Sequence, residues 1–293
     1  MRYIAVAETD IGIDKKINQD SILIKHAQCK NNEVLMAIVC DGMGGLSKGE
    51  IASATVVREF DKWFSKELLP ELKNIDMNVI GGKWSLILKE LNIKIQKYGH
   101  KSRERLGTTF TGTLFVDNKF VIVHIGDTRM YYIDTSLKQL TDDHTYVARE
   151  VKRGKITLEQ AMTDKRRNML LQCVGASKTI EPQVICGEIK QGVYILCSDG
   201  FRHKVTDSEI CNFLNFKHLK NKHKMHIQRR KLISLIKQRK EKDNISVIMI
   251  KSFQKNKIGL RENFFLIQKG KLLLIVILLI MSVLLLIYGI IKI

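Results

Sequence analysis

Short runs of apolar residues, rich in valine, isoleucine and phenylalanine, recur through the first 250 positions of the chain. They predict strands, because β-branched and aromatic side chains pack well on a sheet surface. The runs come in groups instead of alternating with helices, which indicates an α+β domain and not a βαβ repeat. The predicted strands are Tyr3–Ala7, Ser21–His26, Val34–Cys40, Thr108–Val116, Phe120–Ile125, Met130–Ile133, Val193–Cys197 and Ile245–Ile250.

Two stretches between these strands carry apolar residues three and four positions apart, as the buried face of an amphipathic helix requires. Further helices are predicted over Asp207–Phe216 and Arg229–Arg239. The residues that form the two patterns are Ile51, Ala54, Val57, Phe60 and Phe64 in the first and Trp84, Ile87, Leu91 and Ile95 in the second.

Leu272–Ile291 is a stretch of 20 residues in which only Ser282, Tyr288 and Gly289 depart from Leu, Ile, Val and Met. A helix of this length spans about 30 Å, which is the thickness of the hydrocarbon core of a bilayer. A buried helix of a globular domain is the alternative, but such a helix keeps one polar face and this stretch has none. The sequence therefore predicts one transmembrane helix over 272–291.

The flanks of this stretch differ in charge. Residues 252–271 are basic, whereas only Lys292 and Ile293 follow the predicted span. Because positively charged flanks stay on the cytoplasmic side, we expect residues 1–251 in the cytoplasm and 252–271 as a juxtamembrane linker. Met1–Asp10 has the pattern of a strand and not of a signal peptide. These features predict a tail-anchored, single-pass membrane protein.

The composition is strongly basic, with 49 Lys and Arg against 30 Asp and Glu and a formal net charge of +19. This balance indicates an acidic partner, which could be a nucleic acid, a phosphoprotein or an anionic membrane surface. The six cysteines are scattered without a C-x-x-C pair, which argues against a zinc or disulfide framework and for a reducing compartment. Two prolines exclude a proline-rich scaffold.

Aspartates lie next to the ends of several predicted strands. Asp41, Asp127 and Asp199 each stand beside a glycine after an apolar run, and Asp243 precedes the last run. One such aspartate is ordinarily a turn residue, but four that meet in one cleft would repel each other unless cations lay between them. Oxygen ligands alone favour Mg²⁺ or Mn²⁺ over zinc. Two such cations would attract a phosphate and activate water near neutral pH.

Seven short motifs occur in the order found in metal-dependent Ser/Thr protein phosphatases, and over about residues 1–250 the chain resembles the protein phosphatase 2C family in its bacterial form. This resemblance implies a four-layer α-β-β-α sandwich of two antiparallel sheets flanked by helices. It implies a phosphatase domain at 1–251 with a mobile flap at about 145–176. The motifs are Asn18-Gln19-Asp20, Asp41-Gly42-Met43-Gly44-Gly45, Gly49-Glu50, Gly107-Thr108-Thr109, Gly126-Asp127-Thr128-Arg129, Ser198-Asp199-Gly200 and Asp243-Asn244.

The resemblance also implies the metal ligands. Asp41 corresponds to the ligand that bridges two ions, and the carbonyl of Gly42 to a ligand of the second ion. Asp199 and Asp243 correspond to ligands of the first ion. Asp127 matches the residue that, together with Asp199, holds a third ion in bacterial members. The implied cofactor is therefore Mg²⁺ or Mn²⁺, with two ions in the main centre and a third beside it.

Three further residues follow from the same resemblance. Asp20 matches the residue that orients the attacking water, and a metal-bridging hydroxide attacks phosphorus in the family mechanism. Lys15 stands where the family usually has a phosphate-binding arginine, so Asp41, Asp20 and Lys15 form the implied catalytic set. Lys16 is a second candidate for binding substrate. A lysine keeps the charge but lacks the two-pronged grip of arginine, which lowers the expected affinity for phosphate.

The leading hypothesis is an active membrane-tethered phosphatase for phosphoserine and phosphothreonine in proteins, on the cytoplasmic face of a bacterial plasma membrane. Its expected partners are a membrane Ser/Thr kinase and the substrates of that kinase. A catalytically weak phosphoprotein-binding scaffold is the alternative, favoured by Lys15 and by an altered flap sequence. A nucleic-acid-binding anchor is a third hypothesis, since residues 217–242 are basic. Lipid binding and plain solvation are the other interpretations of that segment, which has no interleaved aromatic residues typical of nucleic-acid sites.

Overall fold

Two antiparallel sheets of five strands each form the framework of residues 1–253. The computed structural model describes residues 1–29, 32–43, 48–70 and 75–254. The first sheet has the order β1-β10-β9-β6-β7 and the second has the order β2-β3-β4-β5-β8. The strands are β1 Arg2–Asp10, β2 Ser21–Cys29, β3 Asn32–Cys40, β4 Phe110–Val116, β5 Lys119–Ile125, β6 Arg129–Ile133, β7 Leu137–Gln139, β8 Gln183–Glu188, β9 Gly192–Cys197 and β10 Ile245–Phe253.

Helices cover the outer face of each sheet. Helices α1 and α2 pack on the second sheet, and α5, α6 and α7 pack on the first. Helix α1 continues into a π-helical turn at Phe64–Leu68. The helices are α1 Gly49–Trp63, α2 Met77–Ser102, α3 Tyr146–Lys152, α4 Leu158–Thr163, α5 Asp199–Arg202, α6 Asp207–Phe213 and α7 Lys222–Gln238.

The hydrophobic residues separate into three layers, which explains why the sheets face each other. Alternate residues of β3 point to opposite sides, so Met36 packs with the α1–α2 layer while Leu35 packs between the sheets. Phe60, Trp84 and Phe110 form the aromatic centre of the outer layer, with ring centroids 4.7 Å apart for Phe60 and Phe110. The central strands are thus buried on both faces, and the predicted four-layer sandwich is confirmed for the described residues.

The structure corrects several predicted elements. The strand predicted from Thr108 begins at Phe110, and the helix predicted over Arg229–Arg239 begins a full two turns earlier. That earlier start follows from Asn221, whose side chain accepts a hydrogen bond from the Lys224 amide and caps the helix. The helix predicted to end at Phe216 ends at Phe213. The sequence prediction missed β7 and β8, together with α3, α4 and α5.

The predicted transmembrane helix at 272–291 lies outside the described residues, as does most of the predicted linker at 252–271. Strand β10 continues to Phe253, so the first two residues of that linker belong to the sheet. Within the part of the chain that the structure describes, the search for a helix long and apolar enough to cross a bilayer finds none.

The α1–α2 core offers a direct test of the packing on one helix. Leu88→Ala should lower the free energy of unfolding by about 2–5 kcal/mol, because Leu88 is fully buried and its removal leaves a cavity. Leu86→Ala is the matched control, since Leu86 is 63% exposed on the same helix, and it should change that free energy by less than about 0.5 kcal/mol. Chemical denaturation of both variants is the measurement, and equal losses would contradict the described orientation of α2.

Candidate active site

The ends of the central strands bring several aspartates to one end of the sandwich. Asp41 directly follows β3, and Asp20 directly precedes β2. Because Ser21 is paired with Cys40 across these two strands, the two aspartates are neighbours. In the first sheet, Asp199 follows β9 and Asp243 precedes β10, and these strands are antiparallel partners. These four aspartates therefore lie at one end of the sandwich.

The Asp41–Gly42 turn is fastened by main-chain and hydroxyl groups. The Asp41 amide donates to Thr109 Oγ1, and the Asp41 carbonyl accepts from Thr108 Oγ1, both at 2.9 Å. The Gly42 amide donates to the Gln19 carbonyl at 3.1 Å. A Cβ on Gly42 would lie 2.5 Å from that same carbonyl oxygen, so only glycine fits. The turn thus holds Asp41 close to the segment that carries Asp20.

Asn244 links that segment to the other sheet. Its Oδ1 accepts from the Gln19 amide at 2.9 Å, and its Nδ2 donates to the Ile11 carbonyl at 2.9 Å. The main chain of Asn244 lies against Gly200, where an added Cβ would be 2.2 Å from the Asn244 carbonyl oxygen. The sequence analysis used Asn244 only as part of a motif. The structure shows that its side chain fastens the connection between β1 and β2 to the start of β10.

Burial and mutual repulsion raise the pKa values of the clustered carboxyls. The pKa of Asp41 is well above its ordinary value, because the group is fully buried and faces the charges of Asp20 and Asp199. Burial raises the pKa of Asp20 to about 7, and the charges of Asp199 and Asp243 add to this effect. The pKa of Asp127 also rises to about 7, again through burial first and then the charge of Asp199. The positive charge near these carboxyl groups is therefore too small to offset their burial and mutual repulsion.

Lys15 supplies part of that charge. Its Nζ lies 2.8 Å from Asp243 Oδ1 on a half-buried side chain. Burial lowers the pKa of Lys15, but the bond to Asp243 and the charge of Asp41 outweigh this effect and raise it above the ordinary value. The structure thus places Lys15 at the cluster, as predicted. Lys16 points to solvent.

The oxygen atoms at the cluster fit divalent cations in their chemistry. Both oxygens of Asp20 are buried without a hydrogen-bond partner among the described residues, which is costly for a carboxylate. Across residues 1–29, 32–43, 48–70 and 75–254, no three His, Cys, Asp or Glu side chains are close enough to enclose a metal ion in this conformation. The donors are nevertheless oxygen atoms with an excess of negative charge, and that combination fits Mg²⁺ or Mn²⁺. The individual ligand assignments stay predictions.

Arg202 and Arg129 form a basic flank beside Asp127. Arg129 makes two hydrogen bonds of 2.7 Å to the carboxylate of Asp143. Arg202, which was missed, lies 3.8 Å from Asp127 Oδ2 and 3.9 Å from Asp143 Oδ2. A signal for Arg202 existed, since it lies one helical turn after Asp199 in α5. Arg202 thus lies beside Asp127 at the edge of the cluster, and Arg129 holds the neighbouring Asp143.

A groove of about 1240 Å³ opens beside Asp127. One wall carries Asp127, Arg129 and Arg202, and the other carries apolar side chains of α3 and α4 such as Val147 and Leu158. The predicted flap at about 145–176 contains both helices, and Leu158 is 64% exposed. The groove can therefore accommodate an extended ligand that reaches the carboxylates at one end.

His124 supports the loop between the groove and the sheet. Its Nε2 donates to the Asp142 carbonyl at 3.0 Å, and its Nδ1 lies 2.8 Å from Thr111 Oγ1. A carbonyl only accepts, so the ring carries its proton on Nε2 and Nδ1 accepts from the hydroxyl. Burial, with a smaller contribution from His144, lowers the pKa of His124 to about 3. The neutral ring holds the segment that presents Asp143 to the two arginines.

Comparison with known proteins identifies relatives of the same architecture. The chain is 31% identical over 206 residues to the protein phosphatase PhpP of Streptococcus pneumoniae, which covers 69% of this chain and 80% of that protein. It is 33% identical over 217 residues to the serine/threonine protein phosphatase PstP of Mycobacterium tuberculosis, where the match covers 73% of this chain but only 39% of PstP.

The solved structures that resemble this fold include bacterial phosphatases as well. The serine/threonine phosphatase Stp1 from Staphylococcus aureus superposes with a TM-score of 0.76 at 27% identity, covering 87% of this chain and 96% of that chain. The catalytic domain of PstP in complex with two manganese ions superposes with a TM-score of 0.68 at 28% identity, covering 85% of this chain and 97% of that chain. The fold of the sandwich is therefore shared with bacterial serine/threonine phosphatases.

The family model of protein phosphatase 2C matches residues 13–231. This chain belongs to the protein phosphatase 2C family. The prediction that it is an enzyme, a protein-serine/threonine phosphatase, is confirmed by this membership.

The buried state of His124 predicts a pH dependence of stability. A histidine whose pKa is lower in the folded than in the unfolded protein adds stability above pH 6.5 that is lost as the pH falls towards about 3. His124→Gln should therefore flatten the fall in the free energy of unfolding below pH 6.5, by up to about 1.4 kcal/mol per pH unit. Denaturation at a series of pH values measures it. His100→Gln, an exposed position, is the control, and parallel profiles for His124→Gln and wild type would refute the expectation.

Proposed function

We propose that this phosphatase hydrolyses phosphoserine and phosphothreonine in proteins with two divalent cations, Mn²⁺ or Mg²⁺, at the carboxylate cluster. The observation that carries this proposal is the set of buried aspartates with raised pKa values and unpartnered oxygens at Asp20. Such a set is costly on its own and is stabilised when cations neutralise it. The two manganese ions in the structure of the PstP catalytic domain support the same cofactor here.

In this proposal Asp41, the Gly42 carbonyl, Asp199 and Asp243 hold the two ions, and Asp127 contributes with Asp199 to a third. When bound, the cations supply positive charge for the phosphate and lower the pKa of water so that it attacks phosphorus near neutral pH. The turn built on Thr108 and Thr109 fixes the main chain of Asp41. The hydrogen bonds from this turn are made to the main chain of Asp41. The fold therefore sets the position of this candidate metal ligand.

The chain's own residues then divide the remaining work. Asp20, with free carboxylate oxygens in the buried end of the site, accepts hydrogen bonds from water and orients it. Lys15 leaves Asp243 to bind the phosphate through its charge. The groove beside Asp127 binds the polypeptide around the phosphorylated residue, since its volume and mixed lining suit a peptide segment. The substrate class is therefore a phosphorylated protein.

A catalytically weak phosphoprotein-binding scaffold is the second candidate. The Lys15–Asp243 ion pair at 2.8 Å is the observation that favours it, because it ties the candidate phosphate-binding group to a candidate metal ligand. In this alternative the domain binds phosphopeptides but releases them unchanged.

The proposal also includes a location of the enzyme at a membrane. The predicted span at 272–291 and the basic residues before it place the enzyme on the cytoplasmic face of a bacterial plasma membrane. There it would oppose a membrane Ser/Thr kinase and act on the substrates of that kinase. Fractionation of cells that express the full chain tests this location.

Hydrolysis of a phosphothreonine peptide is the central test. The full chain in detergent should release phosphate with Mn²⁺ and stop when a chelator is added, because the carboxylates alone cannot bind or activate the reactants. Asp41→Asn and Asp199→Ala should each lower kcat/KM by about a hundredfold or more, since each removes a candidate metal ligand. Phosphate release is the measurement.

Asp207→Asn is the matched control, because it removes an exposed carboxylate at the start of α6, and it should keep wild-type activity. Tight binding of the phosphopeptide without phosphate release would reject the enzyme and favour the scaffold. Activity that persists in chelator would reject the cation-dependent mechanism.

Two proposed effects of Lys15 can be measured separately, namely its contact with phosphate and its ion pair with Asp243. Lys15→Gln should raise KM for the phosphopeptide about tenfold by removing a charged contact to phosphate. The same change frees Asp243, so the Mn²⁺ concentration for half-maximal activity should fall. Lys16→Gln is the control and should change neither value by more than about twofold, since an exposed charge contributes little. Steady-state kinetics at varied peptide and Mn²⁺ measures both, and a rise in both values would refute the assigned role.

A further inference from the structure

The basic run before β10 is divided by the structure into two parts. From Ile210 to Lys240 the sequence has no aspartate or glutamate. In the later part, Lys237 lies 2.9 Å from Asp10, and Arg239 is paired with Glu209. The buried Arg229 is likewise paired, with Glu8 of β1. These three residues fasten α7 to neighbouring elements and are neutralised by the fold, whereas Arg230, Lys231 and Lys240 of the later part are exposed.

The earlier part is different. Lys217, Lys220, Lys222 and Lys224 are all exposed, and the ion pairs of the described residues include none of them. Two of these lysines lie in the first turn of α7, where positive charge opposes the helix dipole. The four residues, here called the exit-end lysines, therefore do not stabilise the fold. A cluster of like charges that costs stability calls for an external anionic partner.

The position of this cluster identifies the partner. Lys251 Nζ donates to the Leu219 carbonyl at 2.8 Å, so the loop before α7 is held against the last residues of β10. That strand ends at Phe253, opposite Arg2, and from there the chain continues through the basic linker to the predicted span. The loop that carries Lys217 and Lys220, and the start of α7 that follows it, therefore lie on the side of the domain where β10 ends.

The carboxylate cluster lies at the other end of the same strand. Asp243 precedes Ile245, and the eight steps from Ile245 to Phe253 correspond to about 26 Å of extended chain. A surface that holds the exit end on a bilayer would keep the candidate active site away from the lipid and open to cytoplasmic proteins.

Other charges at this end do not cancel the cluster. Glu33 is buried and engaged by Arg2 and His26. The β8–β9 connection carries exposed Glu188 and exposed Lys190, which balance each other. At the same end, Asp117 is balanced by Lys119, and exposed Asp134 of the β6–β7 turn offsets one of the four lysines. The net charge at the exit end therefore stays positive because of the exit-end lysines.

We propose that the exit-end lysines bind the headgroups of anionic phospholipids and so dock the domain on the membrane surface. This inference depends on the membrane location under the proposed function, because the predicted span brings the surface to lipid. Nucleic acid is a less suitable partner, since residues 217–224 have no Phe, Tyr or Trp to stack on bases. A cluster of four lysines near an anionic leaflet is sufficient for salt-dependent binding.

Binding of the domain to vesicles tests this proposal. Residues 1–254 serve as the probe, because residues 1–253 form a compact unit with three hydrophobic layers of its own. The fragment should sediment with vesicles of phosphatidylcholine mixed with phosphatidylglycerol, not with phosphatidylcholine alone, and added salt should release it. Changing all four exit-end lysines to Gln should weaken binding to the anionic vesicles about tenfold or more.

The matched control changes four exposed lysines of the opposite layer to Gln and alters the net charge equally. These are Lys66, Lys94, Lys97 and Lys101. The control should retain at least about half of the wild-type affinity, because these residues lie on the helices of the second sheet and away from the exit end. Hydrogen exchange on the full chain in the same vesicles should show protection at 217–224 only with the anionic lipid.

Three outcomes would overturn the proposal: unchanged vesicle binding by the exit-end variant, an equal loss in the control, or stronger binding of the wild-type fragment to duplex DNA than to anionic vesicles at the same ionic strength. Two other measurements would detect a failure of the proposed function. Phosphopeptide hydrolysis in solution should be the same for the exit-end variant and wild type, and fractionation of the full chain reports the span itself.

Discussion

Repulsion among buried carboxylates is the constraint on which the rest of the structure depends. Asp41 is buried beside Asp20 and Asp199, and each charge disfavours the others. The sandwich tolerates this arrangement because strands that are buried on both faces set the positions of the loop ends. Hydrogen bonds from Thr108 and Asn244 then leave those loops little freedom. The packing of three hydrophobic layers thus stabilises a fold that holds several carboxyl groups close together. Such a cluster is suited to cations and, through them, to phosphate.

The sequence was most informative where burial is complete. Strands β3, β5, β9 and β10 are buried along most of their length, so their apolar runs were recognisable without any tertiary information. Strand β8 alternates between half-buried and exposed residues, and β7 has only three residues. Helices α3, α4 and α5 are also short, with too few turns for a helical period to emerge. Their formation depends on caps and on contacts that come from distant parts of the chain.

The difference between local sequence signals and contacts with distant residues also explains which site residues could be predicted. Asp41, Asp199 and Asp243 could be predicted because each adjoins a strong strand signal, and the structure brings them to one end. The contact of Arg202 with Asp127 and the linking role of Asn244 could not, since these partners are remote in sequence and are brought together only by the packing of the two sheets. Lys15 was placed correctly at the cluster, but its ion pair with Asp243 is a property of three-dimensional proximity alone.

Strand β10 has a mechanical consequence. It lies between β1 and β9 and is hydrogen-bonded to both along antiparallel ladders. A pull on the chain beyond Phe253 would load these ladders in shear, so many hydrogen bonds would have to break together before Asp243 moved. A force applied at Phe253 would therefore have to break both ladders before it displaced the carboxylate at the other end of the strand.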